Sequence, residues 1–180
     1  MGDTEVGILQ GWLKKENRMK KLNLGCGKDT REGFINLDFR ENQGVDIVCD
    51  IKDGLPFKNG ELDFIFAQDI IEHFPLDYTD TLIKELYRVL KKGGEIEAQV
   101  PNFELNYKEY KEGIARKLFK EQSNCHRFSQ CVFGKQDYEG NYHYQLFDKD
   151  RLRSIFETNG FEVVKEWEYG RGLNIIARKK

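Results

Sequence analysis

The stretch Leu22-Asn-Leu-Gly-Cys-Gly27 begins as a short apolar segment and ends in two glycines that flank one residue. The apolar part is typical of a buried strand. Glycines at the carboxyl end of a strand let the backbone approach a ligand closely. Open α/β sheets bind their ligands at that end of the strands. We therefore expect residues 25–27 to form one wall of a ligand site.

Acidic residues close the next two predicted strands. Asp38 ends the segment 33–38, and Asp50 ends the segment 45–50. A carboxylate at the first position can accept hydrogen bonds from a ribose diol, and one at the second can accept from an adenine amino group. Ile51 offers an apolar face to the adenine ring. These residues together predict an adenosine pocket, with a cap on the following turn as the alternative role of Asp50.

The segment between the glycines and the first acid distinguishes two kinds of adenosine cofactor. A dinucleotide site normally has a third glycine and a helix whose N-terminus holds the pyrophosphate. The third glycine is missing, and the eleven positions from Gly27 to Asp38 are too few for a crossover helix and a strand. The sequence therefore favours a neutral nucleoside with a small zwitterionic tail.

Predicted strands and helices alternate along the chain. The strands fall at 21–24, 33–38, 45–50, 62–67, 95–100, 161–169 and 173–178, and the helices at 6–20, 79–90, 107–118 and 148–158. Alternation predicts a parallel sheet with helices on both faces, while the turn Gly170-Arg-Gly172 makes the last strand antiparallel to its neighbour. We predict one α/β domain over residues 1–180, with a Rossmann-like, mostly parallel sheet of seven strands.

Charge and composition exclude several classes of protein. The 29 lysines and arginines nearly balance the 31 aspartates and glutamates, so the chain lacks the basic field that drives non-specific nucleic-acid binding. No apolar run approaches the roughly 20 residues of a membrane span, and no signal peptide is evident. The four cysteines form no Cys-x-x-Cys pair, so we expect no metal site and a reducing, cytoplasmic setting.

Several further motifs accompany the glycine turn in a fixed order. They are Asn36-Leu-Asp38, Cys49-Asp-Ile51, Leu55-Pro-Phe57, Leu62-Asp-Phe-Ile65, Glu72-His73 and Leu86-Tyr-Arg-Val-Leu-Lys-Lys-Gly-Gly94. Together they resemble the class I S-adenosylmethionine-dependent methyltransferases, and within them the small predicted methyltransferases with a shortened segment after the glycine loop. The resemblance is dense over residues 20–102. It implies that S-adenosylmethionine is the cofactor and methyl donor.

The resemblance also implies a role for each matching residue. The two glycines would pass beneath the methionine part of the cofactor, and Asp38 would hold the ribose hydroxyls. Asp50 and Ile51 would contact adenine, while Gln68 and Asp69 would lie near the methionine and the acceptor. The full set expected at the cofactor is Asn23, Gly25, Cys26, Gly27, Asp38, Phe39, Asp50, Ile51, Gln68 and Asp69.

The sequence excludes some classes of methyl acceptor. Methyltransferases of exocyclic amines and glutamine amides carry Asn/Asp-Pro-Pro-Tyr/Phe after the fourth strand, whereas this chain has Gln68-Asp-Ile-Ile71. A small-molecule or saccharide-like hydroxyl group remains, without a nucleic-acid or membrane partner. An oxygen acceptor needs a base to take its proton. The candidates are His73, His126, His143 and Asp69.

The segment 122–147 has no helical or strand period, and it holds two of the three histidines. We expect residues 103–147 to form a lid or an acceptor-binding insertion over the carboxyl ends of the strands, with a packed aromatic loop as the alternative. Two alternatives to methyl transfer stay open for the whole chain. One is a non-catalytic S-adenosylmethionine-binding module, and the less favoured one is a nucleotide-dependent oxidoreductase.

Overall fold

A twisted sheet organises the part of the chain that the structure describes. The computed structural model describes residues 19–114 and 123–180. The strands are β1 (Lys21–Leu24), β2 (Ile35–Asp38), β3 (Ile47–Val48), β4 (Leu62–Gln68), β5 (Leu90–Pro101), β6 (Phe161–Tyr169) and β7 (Gly172–Lys179). Within these residues they form one sheet of seven strands in the order β3-β2-β1-β4-β5-β7-β6. The predicted fold class is confirmed.

Four helices of regular length accompany the sheet in the described ranges. They are α1 (Thr79–Val89), α2 (Phe103–Glu112), α3 (Asn124–Phe133) and α4 (Lys149–Glu157). The last three begin at a polar cap: the side-chain oxygens of Asn102, Ser123 and Asp148 accept hydrogen bonds from backbone N–H groups of the first turn. In the same ranges, no helix is both long and apolar enough to cross a membrane.

The direction of the strands decides where a ligand can lie. β1 pairs in parallel with β2 on one side and with β4 on the other, and β4 pairs in parallel with β5. The strand order therefore reverses beside β1, and the carboxyl ends of β1, β2, β4 and β5 meet at one edge of the sheet. β7 is antiparallel to both β5 and β6, as the turn before it predicts. The edge next to β1 is the topological switch point at which open α/β sheets bind ligands.

The core is built from apolar residues of the central strands and of α1. Leu22 of β1 is paired with Ile65 of β4, and both are fully buried. Leu82 and Leu86 of α1 are also fully buried and belong to the same apolar cluster. Gln145 ties the chain after α3 to this core, because its amide nitrogen donates to the carbonyl oxygen of Phe74 at 2.9 Å.

Two local predictions are corrected by the structure, and one lies outside its description. The segment 122–147 contains the helix α3, whose period is obscured because Cys131 is its one buried residue. The helix α1 ends at Val89, one residue before the predicted end at 90, since Leu90 is buried and already pairs with Leu62 of β4. The helix predicted at 6–20 falls almost wholly in residues 1–18, outside the described residues.

Candidate functional site

The two glycines after β1 form a tight turn that is fastened to the end of β2. Gly25 and Gly27 have φ angles of 64° and 52°, in the left-handed region that favours glycine. The backbone N–H of Cys26 donates to the carbonyl oxygen of Leu37 at 3.0 Å. The N–H of Gly27 donates to a carboxylate oxygen of Asp38 at 2.8 Å. The turn is therefore held beside the acidic end of β2.

The Asp38 carboxylate is buried yet keeps capacity to bind a ligand. Asp38 is only 3% exposed to solvent. One oxygen accepts the Gly27 N–H, and the other accepts the backbone N–H of Arg40 at 2.9 Å. Each carboxylate oxygen has two lone pairs, so one hydrogen bond on each leaves room for a second donor. A pair of ribose hydroxyls fits this requirement.

A pocket opens above the glycine turn, with about 780 Å³ of space between its walls, part of it open to solvent. We call it the glycine pocket. Of the residues expected at the cofactor, seven line it. They are Gly25, Gly27, Asp38, Phe39, Asp50, Ile51 and Asp69. Further wall residues that the sequence did not indicate include Arg40, Ile70, Phe74, Tyr138 and Gly140.

Asp50 performs the turn-capping role that the sequence left open as an alternative. Its carboxylate accepts the backbone N–H of Lys52 at 3.0 Å and begins the short 3₁₀ helix Ile51–Asp53. The Asp50 side chain is exposed and faces the mouth of the glycine pocket, while Ile51 is buried in its wall. This arrangement leaves the second carboxylate oxygen of Asp50 available to a ligand.

Asp69 lies where the glycine pocket meets a second pocket. Its φ angle of 50° is unusual for a residue other than glycine, and such backbone strain is concentrated at functional sites. The conformation is held by a hydrogen bond of 2.9 Å from the Asp69 N–H to the carbonyl oxygen of Gln99. Burial raises the pKa of the Asp69 carboxyl above its usual value.

The second pocket has about 1310 Å³ of space, including its open mouth, and we call it the histidine pocket. Amide side chains are common in its walls: Gln68, Gln99, Asn106, Gln130 and Asn141. Cations and acids also line it, among them Arg127, Lys135 and Asp137. It shares Asp69, His73 and Tyr138 with the glycine pocket, so the two pockets adjoin at these residues.

Three titratable residues form a cluster at this boundary, and we call them the Glu72 cluster: Glu72, His73 and His143. Each offers one ligand atom, and these atoms all lie within 4.8 Å of one another. The rings of His73 and His143 meet edge to face, with centroids 4.8 Å apart. The Nε2 atom of His143 lies 4.0 Å from a carboxylate oxygen of Glu72.

Burial dominates the electrostatics of the Glu72 cluster. Glu72 is 1% exposed, and burial, followed by the nearby charge of Asp69, raises its pKa well above the usual value. Burial and the neighbouring His143 lower the pKa of His73 to about 4. Burial, with a smaller contribution from Glu72, raises the pKa of the Cys131 thiol to about 11. At neutral pH His73 and Cys131 are therefore uncharged.

A comparison with protein families identifies the family to which the chain belongs. The sequence model of a family described as a methyltransferase domain matches residues 5–97, just over half of the 180-residue chain. The chain belongs to this methyltransferase family. The class I S-adenosylmethionine-dependent methyltransferase inferred from the motifs is thereby confirmed, and S-adenosylmethionine is its methyl donor.

Solved structures of other methyltransferases share the fold. One is the Burkholderia thailandensis 1,6-didemethyltoxoflavin-N1-methyltransferase with bound 1,6-didemethyltoxoflavin and S-adenosylhomocysteine, at a TM-score of 0.62 and 12% identity over 96% of this chain and 75% of that one. Another is a possible histamine N-methyltransferase from Thermotoga maritima, with a TM-score of 0.59 and 20% identity over 89% of this chain and 82% of that one. A third is a methyltransferase from Archaeoglobus fulgidus, with a TM-score of 0.58 and 14% identity over 96% of this chain and 94% of that one. No curated protein matches the chain significantly.

Three of the residues expected at the cofactor lie beside the glycine pocket of the methyltransferase and not in its walls. Asn23, Cys26 and Gln68 line an adjoining cleft behind the glycine turn, which also reaches Asp69. The Asn23 amide nitrogen donates to the carbonyl oxygen of Asp29 at 2.7 Å and to the Asn36 side chain at 3.0 Å. In the structure its hydrogen bonds hold the turn after β1.

The four candidate bases of the methyltransferase separate into two groups. Asp69, His73 and His143 line the histidine pocket, and the first two also face the glycine pocket. His126 is exposed on α3, where its ring lies 3.2 Å from the amide nitrogen of Gln130, and it lines neither pocket. Glu72 was missed as a site residue because its sequence position, at a strand-to-helix connection, does not reveal that it is buried beside His143.

Proposed function

We propose that the methyltransferase binds S-adenosylmethionine in the glycine pocket and transfers its methyl group to a small, hydroxyl-bearing acceptor, such as a saccharide-like molecule, in the histidine pocket. The observation that carries this proposal is that Asp69, His73 and Tyr138 line both pockets. A methyl donor in the first pocket and an acceptor in the second would therefore meet beside these residues.

The glycine pocket supports an assignment of each part of the cofactor. The ribose hydroxyls would donate to the free lone pairs of Asp38, and adenine would lie against Ile51 with its amino group toward Asp50. The methionine part would follow the glycine turn toward Asp69. Phe39 and Tyr138 stand at the open side and would exclude water from the nucleoside.

The walls of the histidine pocket support a small polar acceptor. A side-chain amide both donates and accepts hydrogen bonds, which matches a hydroxyl group that does the same. Five amide side chains line this pocket, whereas a site for a flat apolar ring would be lined mainly by apolar groups. Two proteins of the same fold, the 1,6-didemethyltoxoflavin-N1-methyltransferase and the possible histamine N-methyltransferase, are likewise named for small-molecule acceptors.

The main task of the protein in methyl transfer is to orient the acceptor atom toward the methyl group. S-adenosylmethionine supplies an activated methyl group on a sulfonium ion, and in-line transfer needs the acceptor atom about 3 Å from it. The acceptor oxygen would lie beside Asp69 and the Glu72 cluster, which are the polar groups at the boundary. Asp69, His73 and His143 line the histidine pocket, so they would orient this oxygen and take up its proton, whereas His126 lines neither pocket.

We also propose that the described parts of residues 103–147 act as a lid over both pockets. Tyr110 of α2 stacks on Phe128 of α3 with centroids 5.0 Å apart, which joins the two helices. Farther along the chain, the Tyr138 ring lies 3.6 Å from the guanidinium carbon of Arg40. This contact supports a position of the segment across the carboxyl ends of the strands. Residues 1–180 would then form one domain with this insertion.

A reducing, cytoplasmic setting completes the proposal. The four cysteines are all unpaired, and two of them, Cys26 and Cys131, are buried. Unpaired thiols persist in reducing compartments. The near-zero net charge likewise agrees with a small acceptor in preference to a nucleic acid.

Calorimetry followed by a transfer assay tests the function. We expect S-adenosylmethionine and S-adenosylhomocysteine to bind and NAD not to bind, which separates the methyltransferase from an oxidoreductase. The protein is then incubated with S-adenosylmethionine labelled in its methyl group and panels of sugars, other small alcohols, amines and RNA. Label should enter the hydroxylated small molecules. Binding without transfer to any panel would support the non-catalytic binding module, and transfer to RNA alone would refute the small-acceptor proposal.

A further inference from the structure

Glu72 is the most unusual buried group in the described part of the chain. Its side chain is almost fully buried, and both carboxylate oxygens lack a hydrogen-bond partner among the described residues. A buried carboxylate without a partner is strongly unfavourable, since it loses its hydration and gains nothing in return. A group that persists in such a position needs a compensating ligand or a neutral state.

A neutral Glu72 does not resolve the problem within this geometry. A protonated carboxyl group still needs an acceptor within about 3 Å. The Nε2 atom of His143 is 4.0 Å from the carboxylate oxygen of Glu72. The gap is too long for a hydrogen bond and close to the separation of two ligands across a shared ion.

The hydrogen bonds around His143 prepare its ring as a ligand. Its Nδ1 atom lies 2.8 Å from the carbonyl oxygen of Cys131 and donates to it, because a carbonyl oxygen can only accept. Nδ1 therefore carries a proton, and Nε2, which lies 4.0 Å from a carboxylate oxygen of Glu72, is the ring nitrogen left to bind a ligand. A backbone carbonyl that fixes the tautomer in this way is the common outer partner of a metal-binding histidine.

We propose that Glu72, His73 and His143 bind a divalent transition-metal cation, of the class of Zn²⁺, Co²⁺, Fe²⁺ or Mn²⁺, at the boundary of the glycine and histidine pockets. Two imidazoles and one carboxylate are the donor set that this class of ions prefers. The ligand atoms lie within 4.8 Å of one another. Bonds of about 2.1 Å place neighbouring ligand atoms about 3.4 Å apart, so the side chains need to close by roughly 1 Å.

A cation at this position could take part in methyl transfer, an inference that rests on the proposed function. Three protein ligands leave a coordination position open, as catalytic metal sites do. Glu72, His73 and His143 all line the histidine pocket, so an acceptor oxygen there could occupy this position. With the cation bound, His73 and His143 would serve as ligands and no longer as bases, and the oxygen would release its proton to Asp69, which lines the same pocket. The oxygen lone pair then forms the new bond to the methyl carbon, the carbon–sulfur bond breaks, and its electrons stay on sulfur as S-adenosylhomocysteine forms.

The absence of a metal signature in the sequence is explained by the fold. Glu72 and His73 belong to the connection after β4, and His143 follows α3. The Glu72 cluster therefore joins distant parts of the chain, which no short cysteine or histidine spacing reveals. Asp69, whose charge acts on Glu72, adds a second acid beside the cluster that would attract a cation.

Cobalt binding tests the site without relying on activity. The metal content of the purified protein is measured first, and the protein is then stripped with a chelator and titrated with Co²⁺. We expect one Co²⁺ per chain, visible absorption bands, and displacement by Zn²⁺. Glu72→Gln and His143→Gln should each weaken Co²⁺ binding by more than about 100-fold, because loss of an outer partner alone costs 10- to 100-fold. His126→Gln is the matched control and should bind as the wild type does.

Separate readouts keep the two proposals apart. Circular dichroism and S-adenosylhomocysteine titration check that each variant is folded. Wild-type protein that binds S-adenosylhomocysteine but no Co²⁺ would overturn the metal site and leave the proposed function intact. Co²⁺ binding that His126→Gln loses and Glu72→Gln keeps would also overturn it. Co²⁺ binding that depends on Glu72 and His143, with no methyl transfer to any acceptor, would support the metal site and count against the proposed function.

Discussion

The backbone N–H of Gly27 donates a hydrogen bond of 2.8 Å to the buried carboxylate of Asp38, and this contact joins the turn after β1 to the end of β2. The same carboxylate is the group proposed to hold the ribose. One side chain thus shapes the glycine pocket and, under the proposed function, would also bind the ribose, so a change at this residue should affect both the fold of the turn and cofactor binding.

Replacing Asp38 should weaken cofactor binding. Asp38→Ala removes a charged acceptor, which is worth about 1–3 kcal/mol, and it also leaves the Gly27 N–H without its partner. We expect S-adenosylhomocysteine affinity, measured by calorimetry, to fall by a corresponding amount. Asp53→Asn is the control, because Asp53 is exposed and lies outside the glycine pocket. Unchanged affinity in Asp38→Ala would show that the ribose lies elsewhere.

Tyr138 should contribute to cofactor binding through its ring face. The guanidinium carbon of Arg40 lies 3.6 Å from the ring centroid, and both residues line the glycine pocket. Cation–π contacts are worth about 0.5–2 kcal/mol. Tyr138→Leu should therefore weaken S-adenosylhomocysteine binding about 2- to 30-fold if closure over the cofactor needs this contact, while Tyr138→Phe keeps the ring and should bind nearly as the wild type does.

The neighbouring Tyr144 provides the control for Tyr138. It is exposed in the same segment and lines neither pocket, so Tyr144→Leu should leave affinity unchanged. If Tyr138→Leu binds as tightly as Tyr144→Leu, the segment does not close over the cofactor. A fast dissociation rate in Tyr138→Leu, measured by stopped flow, would locate the effect in release of the cofactor.

Glu85 should make stability depend on pH. Its carboxylate accepts hydrogen bonds from the Arg88 guanidinium at 2.7 Å and from the backbone N–H of Leu55 at 2.7 Å. The hydrogen bond from Arg88 is the main cause that holds the pKa of Glu85 below its usual value. A carboxyl group whose folded-state pKa is lowered stabilises the fold above its unfolded pKa, near 4.3, and loses this contribution as the pH falls through the folded value.

Urea unfolding of Glu85→Gln over a range of pH measures this contribution. At pH 7 the variant should be less stable by about 1–2 kcal/mol, as expected for hydrogen bonds to a charged group. The difference from the wild type should shrink as the pH falls below about 4. Glu41→Gln, at an exposed residue for which no hydrogen bond is found in the described chain, should track the wild type throughout. A difference that stays constant with pH would mean that Glu85 acts by packing and not by charge.

The sequence could predict those parts of the site whose residues belong to short, local sequence patterns. The glycines and Asp38 each stand at the end of a predicted strand, and parallel pairing of β1 with β2 brings those ends together. The Glu72–His143 contact could not be predicted, because it depends on how α3 and the chain after it return to the sheet. The helix α3 was missed for a related reason: Phe128 packs on aromatic rings of α2, so its apolar side does not follow the usual core pattern.

The glycine turn offers a comparison of two neighbouring positions with similar backbone angles. A side chain at Gly27 would meet no atom within 4 Å, so Gly27→Ala should cost only the strain of a left-handed conformation, about 1–2 kcal/mol. A Cβ at Gly25 would also overlap the side chain of Ile70. Overpacking of this kind adds about 1–3 kcal/mol. Gly25→Ala should therefore lower the free energy of unfolding more than Gly27→Ala does, as measured in urea.

The overlap with Ile70 can be tested directly by removing it. Ile70 lines the glycine pocket, and the atoms that a Cβ at Gly25 would strike are the outer carbons of its side chain. Ile70→Ala deletes these atoms, so the double variant Gly25→Ala/Ile70→Ala should be more stable than the sum of the two single changes predicts. The same cycle with Gly27→Ala should be additive, because that position does not approach Ile70. Additivity in both cycles would assign the whole cost at Gly25 to backbone strain and would show that Ile70 moves aside freely.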